Sequence, residues 1–308
     1  MLNQWRFSTA VFELSVPLVF LPIYLMLIWI FRIKPEFKNL IAYKIIVSLG
    51  LMDCFYLLQT LAASFLTLFA AEALEKDALD DENPLRVFIK VVSSFRNGHL
   101  LAVPFLTLAL AVNRLMVMLN NKYLSVGNKR YTVIICIAWF IYIPLVLLLE
   151  FFNTGIKFDL TVDHFTYRGP FIYNWILGYG GPALEIASLC CMFGVVTIIL
   201  VQKRLFRTNV KVSPVEVRLI TQSLFICLPI SFISITGLVL GKEMPRIPWL
   251  NLTWNNLAAV IPVINLAVYI VFNPYMTKML LCKKESTIVQ KWSAKWSKAK
   301  TTVSIFKY

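Results

Sequence analysis

Asp53, Arg96, His99 and Glu185 interrupt long apolar runs of the chain. An ionisable group inside a membrane is costly unless it is hydrated, paired, ion-bound or neutralised, so each marks a candidate functional position. Asp53 stands about eleven residues into its run, roughly 17 Å along a helix at 1.5 Å per residue, which is near mid-membrane. Two readings of it stay open. It is either a polar centre that changes partners between conformations or a carboxylate tied permanently to Asn or Ser on neighbouring spans. Glu185 is similarly deep, about thirteen residues into a later run. Arg96 and His99 are one turn apart and share a helix face. Arg96 can pair with Glu185 inside a bundle, meet a ligand, or snorkel outward.

Catalytic chemistry finds little support. The chain has 2 histidines, His99 and His164. That is too few for the histidine cluster of an iron-dependent membrane oxygenase, and no His-Glu-x-x-His zinc site can be built. Neither a Gly-rich phosphate loop nor a Gly-x-Ser-x-Gly elbow is present. An enzyme is not expected, and no cofactor or metal is called for. Of the 6 cysteines, Cys54, Cys136, Cys190, Cys191 and Cys227 fall in apolar runs, where a free thiol behaves as a small hydrophobe. Cys282, in Leu281-Cys282-Lys283-Lys284, is a palmitoylation candidate or simply an unmodified thiol.

The elements that must hold these residues follow from composition. The chain of 308 residues is 59% hydrophobic and 15% charged, against about 25% charged in an ordinary soluble domain. Apolar runs near 10–31, 42–70, 92–118, 131–150, 172–201, 219–240 and 255–277 are each of the order needed to cross lipid, about 20 residues. Runs of this length must satisfy their backbones internally, which makes them helices. The expected fold is all-α, a seven-transmembrane helix bundle over 1–277, followed by a basic tail over 278–308. The first run is too long for a cleavable signal peptide and reads as its own anchor. Prolines recur within the runs (Pro17, Pro22, Pro104, Pro144, Pro182, Pro229 and Pro262) and mark bends that are either hinges or fixed shapes.

Charge gives the orientation. Arg32, Lys34 and Lys38 follow the first run, Lys122, Lys129 and Arg130 the third, and Lys203, Arg204, Arg207, Lys211 and Arg218 the fifth. The loop after the second run is instead acidic, with Glu72, Glu75, Asp77, Asp80, Asp81 and Glu82. By the positive-inside rule the amino terminus is outside and the carboxyl terminus inside. The sequon Asn251-Leu252-Thr253 then falls on the lumenal side as a glycosylation candidate. In the tail, Ile288, Trp292 and Trp296 recur every four residues among lysines, the pattern of a helix lying in the membrane interface. The net charge of +14 is therefore expected to meet anionic lipid, and nucleic acid is not expected as a partner.

Leu110-Ala111-Val112-Asn113-Arg114-Leu115, at the end of the third run, resembles the Asp/Glu-Arg-Tyr motif of rhodopsin-like G-protein-coupled receptors, with Asn113 in place of the acid. Leu49-Gly50-Leu51-Met52-Asp53 resembles their span-two motif, and Trp139 their span-four tryptophan. Cys227-Leu228-Pro229 is similar to the span-six Cys-Trp-x-Pro bend without its tryptophan. Asn273-Pro274-Tyr275 is similar to Asn-Pro-x-x-Tyr with the tyrosine two places early, Thr277 holding its usual position. The paired cysteines that join span three to the second outer loop are absent. Together with Ala42-Tyr43-Lys44-Ile45 and Gly127-Asn128-Lys129-Arg130-Tyr131, these motifs look like nematode serpentine chemoreceptors, nearest the Srt and Srx classes.

The resemblance implies a plasma-membrane receptor, in a sensory cilium, that binds an odorant or other small molecule and activates a heterotrimeric G protein. Arg96, Asn97, His99, Glu185, Trp254 and Asn255 are the candidate ligand contacts, chosen by depth. Asp53, Asn113, Arg114, Pro229, Asn273, Pro274 and Tyr275 are the candidate switch and coupling residues. The competing expectation is a small seven-helix transporter or channel, which predicts paired broken helices in two matching halves.

Overall fold

The computed structural model describes residues 4–38, 40–69, 84–119, 128–151, 155–159, 164–168, 175–205, 214–240, 247–273 and 277. The Asn-Pro-Tyr positions Pro274 and Tyr275, Cys282 and the expected interfacial helix of the tail lie outside these residues.

Among the described residues are seven long helices: α1 (Gln4–Ile33), α2 (Ile41–Phe69), α3 (Pro84–Met118), α4 (Asn128–Phe151), α5 (Gly181–Leu205), α6 (Pro214–Leu240) and α7 (Pro248–Val271). A short helical turn, Pro35–Lys38, joins α1 to α2. Six of the seven contain segments long and apolar enough to cross a membrane, and α4 contributes a shorter apolar segment, Arg130–Pro144. At 24 residues α4 is nonetheless about 36 Å long, enough to span the hydrocarbon core.

The helices bury one stripe and show another to lipid. In α1, Tyr24, Leu27, Ile28 and Phe31 are buried, while Phe7, Val11, Leu18, Leu25 and Trp29 are exposed. In α4, Tyr131, Ala138 and Tyr142 turn inward and Val133, Ile137 and Phe140 outward. A continuous apolar surface of this extent is explained by lipid as the solvent. Within the spans, hydroxyls bond back to carbonyls one turn earlier, as Thr60 does to Tyr56 (3.0 Å), Ser64 to Thr60 (2.7 Å) and Thr107 to Val103 (2.9 Å). These three hydroxyls are thereby carried without an unpaired donor.

α3 is the axis of the bundle, packing against α2, α4, α5 and α6, while α1 packs on α2 and α5 on α6. α5 comes close to α3 at Gly181. Pro104 has no N–H to give the Leu100 carbonyl one turn before it, and Gly181 sits directly against that carbonyl. A methyl group on Gly181 would lie 2.5 Å from Leu100 O. α5 is entered through a π-helical turn, Ile176–Gly180, in the glycine-rich segment Gly178-Tyr179-Gly180-Gly181-Pro182.

The connection from α4 to α5 holds an antiparallel hairpin, β1 (Gly155–Asp159) with β2 (His164–Arg168), registered from Gly155 opposite Arg168 to Asp159 opposite His164. The sequence reading placed only a loop there. β1 lies against α3.

The seventh helix is displaced from its expected range. It starts at Pro248 and ends at Val271, where 255–277 had been read. Proline pre-set for the first helical turn opens it, and the approach to Pro274 closes it, since the residue before a proline avoids the α region. The sequon asparagine Asn251 therefore lies inside α7 and not in the loop before it.

The chain divides into two compact units, Met1–Leu266 and Ala267–Tyr308. In the second, Asn273 is buried, its N–H bonds Ile270 O, and its carbonyl accepts both the N–H and the hydroxyl of Thr277. The same hydroxyl bonds Ile270 O at 2.8 Å.

Candidate functional site: a buried carboxylate joining four helices

Asp53 is fully buried, and both of its oxygens are occupied. Tyr24 of α1 donates its hydroxyl to Oδ2 at 2.6 Å, and Asn265 of α7 donates its amide to the same oxygen at 3.0 Å. His99 Nε2 of α3 meets Oδ1 at 3.1 Å. One carboxylate on α2 thus holds α1, α3 and α7. Hydrogen bonds to a charged group contribute about 1.5–3 kcal/mol each, and an unpaired buried carboxylate would cost more than the site could recover. The strength of the arrangement is specificity: three helices have one register in which all donors reach.

Local packing brings the partners in. Gly50, one turn before Asp53, leaves space for the Tyr24 ring, whose Cε1 would stand 3.0 Å from an added methyl group. The Tyr56 ring lies 4.6 Å from the His99 ring, centroid to centroid, and closes one side of the imidazole. Beside this centre, Trp139 of α4 donates its indole N–H to Ser48 Oγ at 2.7 Å. Its ring meets Tyr142 edge-on at 5.5 Å, and Phe55 stacks on Phe95 at 5.5 Å.

A second polar seam runs between α5 and α6. Glu185 is fully buried, and Ser231 donates to its Oε2 at 3.4 Å and to its backbone carbonyl at 3.3 Å. One turn on, Ser188 Oγ and Cys227 Sγ are 3.3 Å apart. Pro229 lies between Cys227 and Ser231 inside α6, where it has no N–H for the carbonyl one turn before it.

The remaining candidate ligand contacts fall at two further helix pairs. Arg96 Nη2 donates to Asn255 Oδ1 at 3.3 Å, joining α3 to α7. Trp254 lies on the backbone of α6, where a methyl group on Gly237 would come within 2.9 Å of its Cζ2. Arg96 and Glu185 are not paired: Arg96 reaches Asn255, and Glu185 has Ser231 as its side-chain partner. Asn97 lies in α3 and Asn251 in α7, their side chains outside the described set. Asn113 and Arg114 are both buried near the end of α3. Among the described residues no group of His, Cys, Asp and Glu is arranged to hold a metal ion.

Sequence reasoning found Asp53, His99 and Glu185 but missed Tyr24, Asn265 and Ser231. Asn265 carried a usable signal, an amide about ten residues into the apolar run 255–277 and so near mid-span, as Asp53 is in its own run. Tyr24 and Ser231 carried none, being residue types that spans tolerate anywhere.

No protein-family model matches this sequence, and no curated protein matches it either. Among solved structures it is similar to squid rhodopsin, with a TM-score of 0.64 over 90% of this chain and 85% of that one, at 15% identity. The chain is a multi-pass membrane protein with the seven-helix fold of rhodopsin.

Proposed function

We propose that this chain is a G-protein-coupled chemosensory receptor of the nematode serpentine type, nearest the Srt or Srx classes, working in the plasma membrane of a sensory cilium. The observation that carries the reading is the rhodopsin-like bundle in which Arg114, of the Asn113-Arg114 pair, is buried near the end of the axial helix α3. The amino terminus is outside and the basic loops and tail face the cytoplasm, as the distribution of lysine and arginine favours. A small molecule enters the outer half of the bundle, near Arg96, Asn97, His99, Glu185, Trp254 and Asn255. It binds one bundle arrangement better than another and shifts the population between them. Asp53, with partners on three other helices, is the centre through which such a shift passes, and Pro229, Asn273, Pro274 and Tyr275 serve as switch residues on the segments that move. The inner ends of α3, α5 and α6 then part around Arg114 for the G protein.

The test is nucleotide exchange on a G protein co-reconstituted with the full chain, screened against volatile alcohols, acids, ketones and amines. At least one compound accelerates exchange, and Arg114→Ala reduces that acceleration tenfold or more while ligand binding persists. Unchanged exchange in Arg114→Ala sinks the coupling role. Ligand-driven current or solute flux in liposomes without a G protein would replace the receptor reading with a channel or transporter.

A further inference from the structure

Among the described residues two carboxyl groups, Asp53 and Glu185, are buried within the spans, and they are treated unequally. Asp53 is met by three donors from three helices, on both oxygens. Glu185, equally buried, has no hydrogen-bond partner for Oε1. Its other oxygen has only Ser231, whose single hydroxyl proton is divided between Oε2 at 3.4 Å and the Glu185 carbonyl at 3.3 Å. Both distances lie at the far edge of hydrogen bonding. No basic side chain among the described residues pairs with Glu185, and Arg96 reaches Asn255 instead. A buried acceptor left short of donors is costly and calls for an explanation, of which a partner still to bind is one.

We propose that the missing partner is the ligand, and that the ligand is a lipophilic amine whose ammonium group docks on Glu185; this rests on the receptor reading above. An ammonium brings three N–H donors and a positive charge, so it completes both oxygens at once and forms charge-assisted bonds that a hydroxyl cannot match. The body of the ligand is set by the surroundings. Toward α3 the seam continues into an apolar cluster of Ala111, Met192, Val195, Ile220 and Cys227. On the other side, Ile186, Leu228 and Phe232 of the same two helices face lipid. An aliphatic or aromatic tail is at home on either side, and an apolar amine partitioned into the bilayer reaches the α5–α6 seam directly. Docking exchanges the long Ser231 contact for a short ammonium contact. It thereby releases α6 from α5 beside Pro229, which couples recognition to a movement of the helix that bends there.

Binding to the purified full chain in lipid nanodiscs separates this proposal from the coupling role. The probes are hexylamine and 1-hexanol, equal in tail and different in headgroup. Hexylamine is expected to bind wild type at least tenfold more tightly than 1-hexanol. Glu185→Gln, which keeps size and shape, is expected to remove that difference. Ser231→Ala, which removes the competing donor, is expected to leave hexylamine binding equal or tighter, and serves as a folded second variant. Equal binding of the two probes to wild type, or a Glu185→Gln variant that still prefers the amine, overturns the proposal. Amine binding that depends on Glu185 but never stimulates nucleotide exchange leaves the site standing and sinks the receptor reading. Exchange driven by amine-free compounds and indifferent to Glu185→Gln does the reverse.

Discussion

His99 Nε2 stands 3.1 Å from Asp53 Oδ1, and the pair bridges α2 and α3 inside the membrane. With Tyr24 and Asn265 filling the other oxygen, the imidazole is the one partner of Asp53 able to carry charge. Removing either member leaves the other, a fully buried carboxylate or a partly buried imidazole, short of a partner. In denaturation of the micelle-solubilised protein, His99→Ala and Asp53→Asn should each lower stability by about 1.5–3 kcal/mol. The double variant should fall short of the sum by about 1 kcal/mol or more, as expected for residues in direct contact. Strict additivity would mean that the contact has no energetic content.

The approach of α5 to α3 gives a paired glycine test. Gly181→Ala drives a methyl group to 2.5 Å from a backbone carbonyl that cannot step aside, whereas Gly178 has nothing within 4 Å. Overpacking of this kind costs about 1–3 kcal/mol. Gly181→Ala should lose that amount together with much of its folded yield, and Gly178→Ala should match wild type. Equal stability of the two variants would contradict the close contact.

Trp139 and Ser48 offer a milder case. Trp139→Phe keeps an aromatic ring beside Phe55 and Tyr142 but deletes the donor to Ser48. Both Trp139→Phe and Ser48→Ala should cost about 1 kcal/mol. Their combination should cost little more than either alone, read from the shift in apparent Tm.

The proposed orientation has its own measurement. A glycosylation sequon inserted within 72–82 should be modified in microsomes, and one inserted within 206–212 should not. The native Asn251 lies inside α7, three residues after Pro248, where a hydrogen-bonded helical backbone close to the membrane disfavours an acceptor. Endoglycosidase should therefore leave the mobility of wild type unchanged. Modification within 206–212 would invert the topology.

Hydropathy made the bundle legible because lipid leaves a long apolar segment no other choice of backbone. α2 begins and ends within a residue of its apolar run and α6 ends with its run but starts five residues earlier, whereas α7 is shifted by seven residues at its start and six at its end. Its first turns hold Asn251, Trp254 and Asn255, which hydropathy reads as loop, and Pro248 outweighed them. Asp53 announced itself by depth, and His99 by being ionisable on an inward face. Asn265 could have been found by the same depth rule. The hairpin β1–β2 carries little hydropathy signal, although Gly155–Asp159 and His164–Arg168 are separated by only four residues in sequence. Tyr24 and Ser231 belong to the part that composition cannot carry, since their roles exist only once another helix is beside them.

Asp53 gathers α1, α2, α3 and one residue of α7, and leaves α5 and α6 out. The burial of the spans follows the same division: 67% of the apolar window is buried in α2 and 56% in α3, against 22% in α5 and 28% in α6. The carboxylate therefore works as a joint for one side of the bundle, while α5 and α6 are fastened to it by packing on α3, closest at Gly181. A substitution on the outward faces of α5 or α6 should leave that joint intact, whereas one at Gly181 should not spare the packing.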